Sequence, residues 1–353
     1  MRPSSGTAPG KIILSGEHAV VYGAPALVMA VNRYMTATIS SLKGDDFVFH
    51  DVNANTFYSI GADQLDALKA RIQNDYHSFL KGRCSICDVL KTPVELAQFT
   101  LSTFLEAVSL DFLSGIQLDV QSTIPVGAGM GSSAALILSI LKAMMQYTNV
   151  SLSDEKLFEL ALGAENRQHG LSSGLDLRAI LQGGLMLVGL GRVGKALFAC
   201  PPPRIEMVGT QTALCPPYIV YTGVPESATG ECVQLVSPYF KDQNRVEAFS
   251  AVTIAMEKAL EENNLVSLHE CIRENNQLLH QIGVVPETVQ RFISDIESIG
   301  GAAKICGAGA VKGDHAGMVW VVCEDTAAWK KIAEKYSYEV LSLNIESRGV
   351  YAS

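Results

Sequence analysis

The sequence predicts two domains of mixed strand and helix, an α/β or α+β protein, from three observations. At 353 residues the chain exceeds what one compact core usually holds. Segments with strand periodicity and segments with helix periodicity mix in both halves, with no internal repeat and no low-complexity tail. Pro201-Pro202-Pro203 is the strongest break in the chain, and it sets the expected boundary between domains 1–203 and 204–353. A hydrophobic content of 48% against 18% charged residues supplies a substantial core.

In chain order, Ala8 to Leu14 reads as a buried strand, and Ser15-Gly16-Glu17-His18 as a polar turn. Ala19 to Gly23 and Ala26 to Val31 continue with apolar, β-favouring residues. Residues 35 to 60 alternate in strand fashion around a turn at Lys43-Gly44-Asp45-Asp46. Helical spacing runs from Asp63 to Leu80 and from Thr92 to Ala107, with Pro93 in a first turn. Residues 115 to 122 form a half-buried strand that delivers the chain to Pro125-Val126-Gly127-Ala128-Gly129-Met130-Gly131-Ser132-Ser133. Helix formers follow from Ala134 to Met145, with Ser132 or Ser133 as the expected N-cap. Ser153 caps a helix reaching about Arg167, whose apolar stripe is Leu157, Leu160, Ala161 and Ala164. A glycine-serine turn from His169 to Asp176 and a strand at 184–188 close the first half. The second half reads as a strand at 218–221, long helices within 244–300, and strands near 317–323 and 338–346.

A formal charge of −9 argues against general binding to nucleic acid or anionic membranes. No secretory signal is visible, and no apolar run approaches the roughly 18 residues of a membrane span. A soluble, cytoplasmic protein with reduced thiols is therefore expected. Cys84-Ser85-Ile86-Cys87, with His77 nearby, lacks the second cysteine pair of a structural zinc site and reads as two plain thiols.

Three glycines within five residues, Gly127, Gly129 and Gly131, remove Cβ atoms where backbone must approach something bulky. Opening a helix, they aim unpaired N–H groups and a positive dipole end outward, which makes an anion site with phosphate as its commonest occupant. A capped strand-to-helix turn is the alternative. Gly189, Gly191 and Gly194-Lys195 imitate a nucleotide motif, but Ala196 stands where a P-loop needs a hydroxyl, and the prolines stop any helix. Lys11 opens an apolar strand, an unusual place for an ammonium without a partner. Glu165 lies near a helix end that feeds the turn carrying Asp176, and residues 300–310 form a second glycine-rich loop. Phosphoryl transfer needs N–H groups on the phosphates, oxygen ligands for Mg²⁺, a cation and a carboxylate for the attacking hydroxyl. The glycine loop, Ser133, Glu165, Lys11 and Asp176 supply that inventory.

At these residues the chain resembles the GHMP kinase superfamily. Pro9-Gly10-Lys11, the stretch Pro125 to Ala134, and Lys304-Ile305-Cys306-Gly307-Ala308-Gly309 match its three motifs in order. The resemblance implies an α+β, two-domain fold, with a left-handed βαβ unit first and a ferredoxin-like half second, and ATP between them. Within the superfamily, Gly10 to Gly23 is most similar to the mevalonate kinases, which implies phosphorylation of the mevalonate 5-hydroxyl for isoprenoid synthesis. It further implies that Pro125, Gly127, Ala128, Gly129, Met130, Gly131, Ser132, Ser133, Gly307 and Gly309 hold ATP. Ser133 and Glu165 would hold Mg²⁺, Asp176 would take or orient the hydroxyl proton, and Lys11 would stabilise anionic charge. Glu17 and His18 would shape the acceptor pocket, with His18 or Lys11 as hydrogen-bond donor, and a homodimer is compatible with the resemblance. The sequence departs from the family pattern at Leu177, at Thr222-Gly223-Val224-Pro225 and after Gly309. Another small hydroxyl acceptor (a sugar, homoserine or phosphomevalonate) and a non-catalytic sensor remain the rival readings.

Overall fold

β1 (Ser4–Ser15) and β2 (Pro25–Ser41) are the long strands on which the rest is built. The computed structural model describes residues 3–110, 115–125, 127–189, 204–208, 218–227 and 229–352. After β2 come β3 (Asp46–Asp51), β4 (Thr56–Gly61), α1 (Ala62–Leu80), α2 (Glu95–Ala107), β5 (Ile116–Ser122), α3 (Ser132–Thr148), α4 (Asp154–His169), α5 (Leu175–Gln182), β6 (Leu185–Gly189) and β7 (Arg204–Val208). These are followed by β8 (Tyr218–Tyr221), α6 (Thr229–Val236), α7 (Gln243–Glu261), α8 (Leu265–Gln281), α9 (Glu287–Ser298), β9 (Ala302–Cys306), β10 (Met318–Val322), α10 (Thr326–Lys335), β11 (Glu339–Ser342) and β12 (Tyr351–Ala352).

The first sheet runs β12-β1-β2-β5-β3-β4, with β6 also on β2 and β7 on β6. β2 is long because its two halves pair different strands: Pro25 to Met29 with β6, Met35 to Ser41 with β5. β3 and β5 are parallel, as a crossover through α1 and α2 requires. Pro9 cannot donate an N–H to the ladder, and the β1–β2 register slips between Pro9 and Gly10, just before Lys11. α3 lies against β1 so closely that a Cβ on Gly6 would stand 2.2 Å from the Ser139 carbonyl oxygen. The second sheet is antiparallel in the order β11-β8-β10-β9. Numbered within itself that order is 4-1-3-2, with helices between its first and second and its third and fourth strands, the ferredoxin-like arrangement.

Several features depart from the sequence reading: residues 302–306, read within a glycine-rich loop, form the buried strand β9, and β7 and β12 are strands that it lacked. Ala19 to Tyr22 forms a 3₁₀ turn instead of a strand, closed by Gly23 at φ 99°. α3 is capped by Gly131, in the left-handed region, so Ser132 and Ser133 lie inside the helix and neither side chain caps it. Ser153 does cap α4, its hydroxyl accepting from the Lys156 N–H at 3.2 Å. The glycine-lysine motif from Gly191 to Lys195 lies outside the described residues. β12 returns to β1, and Val31 bridges Ile345, so the chain's last segment belongs to the first sheet. With β7 there too, we propose that the two lobes divide between β7 and β8, and that the segment after β11 rejoins the first lobe. Among the described residues no helix is long and apolar enough to cross a membrane.

Candidate active site

Gly127, Gly129 and Gly131 all have positive φ, at 69°, 74° and 71°, so the loop uses each of its three glycines for a backbone shape that side chains resist. The close approach expected of Gly131 is to Lys11: a Cβ there would meet the Lys11 Cγ and Cε at 3.1 Å. The Lys11 N–H donates to the Met130 carbonyl, and its Nζ donates to the Gly129 carbonyl, both at 3.0 Å. The same Nζ pairs with Asp176 Oδ1 at 3.0 Å. The Lys11 side chain is 4% exposed and that of Asp176 28%, so the ammonium is fixed inside while the carboxylate still faces the cleft. Asp176 is the second residue of α5, whose N-cap is Gly174 in the left-handed region.

Glu165, from the last turns of α4, reaches the same place and is buried. Its Oε2 has no hydrogen-bond partner. Burial, and then the neighbouring Asp176 charge, push its carboxyl up to about 8, against the pull of Ser172 and Lys11. Ser133 Oγ lies 3.0 Å from Nε2 of His169, at the end of α4. Pro125 and Ser132 flank the loop half-buried, while Ala128 and Met130 turn inward as packing residues.

The late loop faces the first one. A Cβ on Gly129 would lie 3.7 Å from the Cys306 carbonyl oxygen, and one on Gly307 would lie 3.9 Å from that of Gly129. Between the loops opens a cavity of about 230 Å³, lined among others by Gly127, Gly129, Val224, Pro225, Cys306 and Gly309. Gly309 also packs tightly, since a Cβ would strike the Val284 carbonyl oxygen at 2.1 Å.

The polar turn is placed differently from a lining of the pocket by free side chains. Glu17 is buried and bound to Lys304 Nζ of β9, and the burial pushes its carboxyl up against the pull of that ammonium. His18 has φ 59°, rare for a side-chain-bearing residue, and its Nε2 lies 3.0 Å from the Ala308 carbonyl oxygen. A carbonyl only accepts, so Nε2 carries the proton and Nδ1 is a bare acceptor. Burial lowers the pKa to about 4, which keeps the ring neutral at pH 7. The side chain expected to act as a donor therefore spends its one N–H on Ala308. Lys304 and His169 received no role from the sequence. Lys304 was hidden because residues 300–310 read as a glycine-rich loop, where a lysine is unremarkable; the structure makes Ala302–Cys306 a buried strand, in which it is the same anomaly as Lys11.

Residues 95–184, which carry the first glycine loop, Glu165 and Asp176, match the family model of the GHMP kinase N-terminal domain. The stretch around the first glycine loop is thus similar to a GHMP kinase N-terminal domain. The chain is 28% identical over 305 residues to a mevalonate kinase of Archaeoglobus fulgidus, covering 86% of this chain and 88% of that protein. It is 29% identical over 318 residues to one of Pyrococcus horikoshii, covering 86% and 85%. The crystal structure of Methanococcus jannaschii mevalonate kinase superposes on this chain with a TM-score of 0.75 over 96% of this chain and 97% of that one, at 21% identity. The fold is thus that of the GHMP kinases throughout both lobes.

Proposed function

We propose that this chain is a GHMP kinase that transfers the γ-phosphoryl group of ATP to the 5-hydroxyl of mevalonate, giving 5-phosphomevalonate for isoprenoid synthesis. The single observation that carries the reading is the Lys11–Asp176 contact at the mouth of the glycine loop. It sets a proton acceptor and a fixed cation beside an array of backbone N–H groups. Asp176 orients the attacking hydroxyl and takes its proton. Lys11 holds that carboxylate in place through the 3.0 Å contact and faces the negative charge that builds on the transferred group. The N-terminal N–H groups of α3 and the loop around Gly127 to Gly131 hold the phosphates.

Among the described residues no group of three or more His, Cys, Asp and Glu side chains is placed to hold a metal unaided. Mg²⁺ brought by a nucleotide needs fewer protein ligands, because it keeps waters and phosphate oxygens. The unpartnered, buried Oε2 of Glu165 fits such an ion. Glu165 and Ser133 are the residues that would hold it, and its charge would neutralise the β- and γ-phosphates.

The acceptor side supports a small, largely apolar substrate. Leu175, next to Asp176 in sequence, is buried in one cluster with Val20, Val28 and Met186, with Ile13 and Val21 packed against it, so the start of α5 is seated on apolar packing. The turn before it, Ala19-Val20-Val21, carries no side chain that could pair the hydroxyls of a sugar, whereas a small acceptor such as mevalonate, with a methyl and methylenes, needs few such partners. The described cysteines are free thiols, three of them buried, which fits the reducing cytoplasm where we place the reaction.

An acceptor panel with ATP consumption as readout tests this. Mevalonate is expected to exceed galactose, homoserine and phosphomevalonate in kcat/KM by at least about 100-fold. A better acceptor among those three overturns mevalonate and keeps the kinase; turnover of none of the four favours the sensor reading.

A further inference from the structure

We infer that the Glu17–Lys304 ion pair is a positioning device that holds the two lobes in register, and so sets the spacing of the two glycine loops around the nucleotide. The two side chains are 1% and 0% exposed, and 287 residues of sequence separate them. Glu17 belongs to the turn after β1, while Lys304 stands in β9, three residues before Gly307. Both side chains are closed off from solvent, and Glu17 Oε2 is left without a hydrogen-bond partner, so Lys304 is the side chain that holds this carboxylate. Lys304 Nζ also donates to the Ile305 carbonyl, which orients the ammonium from its own strand.

Adjacent links run in the same direction. His18, next to Glu17, donates to Ala308, next to Gly307. Gly307 in turn faces Gly129 backbone to backbone, and the Gly129 carbonyl accepts from Lys11. A shift of Lys304 against Glu17 would therefore move the late loop relative to the first loop, Lys11 and Asp176. An apolar pair of similar volume would fasten two lobes at a lower desolvation cost than a buried ion pair. What the ion pair adds is a fixed direction and distance, which reactions that depend on alignment require.

The inference rests on the cleft being the nucleotide site, and the test keeps the two apart. Glu17→Gln, Lys304→Met and the double variant are compared with wild type in thermal midpoint, in affinity for a fluorescent ATP analogue, and in kcat with mevalonate. Each single variant leaves one buried charge unpaired, so its Tm falls by several degrees. Nucleotide affinity and kcat are each expected to fall at least about 10-fold in the folded protein, as a misaligned site would produce. The double variant has no lone charge, and is expected to regain most of the Tm while affinity and kcat stay low. Recovery of all three in the double variant makes the pair merely structural and overturns the inference. So does wild-type affinity and turnover in either single variant. Failure of the wild-type protein to bind the analogue overturns the reading of the cleft as the nucleotide site, and the inference with it.

Discussion

Two carboxylates, Glu165 and Asp176, stand at the same end of the cleft with different surroundings. Asp176 has the Lys11 ammonium at 3.0 Å and partial access to solvent. Replacing it by Asn keeps the shape and removes the proton acceptor, so kcat is expected to fall at least about 100-fold in a protein that still folds, with a lower Tm because the buried Lys11 ammonium loses its counter-charge. Near-normal turnover in that variant would leave Asp176 without its proposed role. Glu165 is buried, and its carboxyl is raised from 4.5 to about 8. A folded-state value above the unfolded one means that the fold favours the protonated acid. The stability it contributes is full below about pH 4.5 and is lost as pH rises through about 8. Between pH 5 and 8 the Tm of the ligand-free protein should therefore fall more steeply for wild type than for Glu165→Gln. His18, lowered to about 4, acts in the opposite sense in both proteins and cancels in the comparison. Equal slopes would remove the buried acid from the account. Lys11 stood out in the sequence because an ammonium opening an apolar strand needs a partner, whereas Asp176 read equally as a helix N-cap or as a base or metal ligand; in the structure Gly174 takes the cap and Asp176 pairs with Lys11. The pairing of Glu17 was not legible, since its partner lies 287 residues away and nothing local to Glu17 points there.

At the scale of elements, the first glycine loop works through its backbone. Three glycines at positive φ turn the chain from β5 into α3, and the last of them leaves room for the lysine stem. Gly131→Ala is expected to cost about 1–2 kcal/mol from the left-handed backbone alone. Its methyl would also meet the Lys11 Cγ and Cε at 3.1 Å, atoms on a flexible chain that can move aside. Lys11 would then leave Asp176, so the variant should lose far more activity than stability: a kcat drop of at least about 10-fold in a protein that still unfolds cooperatively. Denaturant unfolding measured beside turnover separates the two effects. A variant that loses stability but keeps kcat would detach the glycine from the lysine. The alternating strands and amphipathic helices were legible because their periodicities show in the sequence, as in α1, α4 and β5. The Ala19–Tyr22 turn was not, because its β-favouring side chains outweigh locally the two glycines, Gly16 and Gly23, that bracket it at positive φ.

At the scale of the whole molecule, the lobes are joined where α7, a helix of the second half, packs on the first sheet. Sequence patterns carry little of this: a two-residue strand such as β12 has no period, and a serine facing a threonine across 238 residues has no local signature. The Ser15 and Thr253 side chains are fully buried, with their hydroxyl oxygens 2.7 Å apart. Thr253 also donates to the Phe249 carbonyl at 2.8 Å, one turn back in α7. A hydroxyl has one proton, so Thr253 spends its own within the helix and Ser15 donates across the lobe interface. The direction makes the two deletions unequal. Ser15→Ala leaves Thr253 still bonded to Phe249, and is expected to cost about 0.5–1.5 kcal/mol. Thr253→Val keeps the volume but strands the Ser15 O–H in a dry interface, a cost of about 1–3 kcal/mol. Adding Ser15→Ala to Thr253→Val removes that stranded donor, so the double variant should be more stable than Thr253→Val alone. Chemical denaturation of the three variants measures the order. A double variant less stable than both singles, by the sum of their losses, would mean that the two hydroxyls act independently and that the bond does not join the lobes.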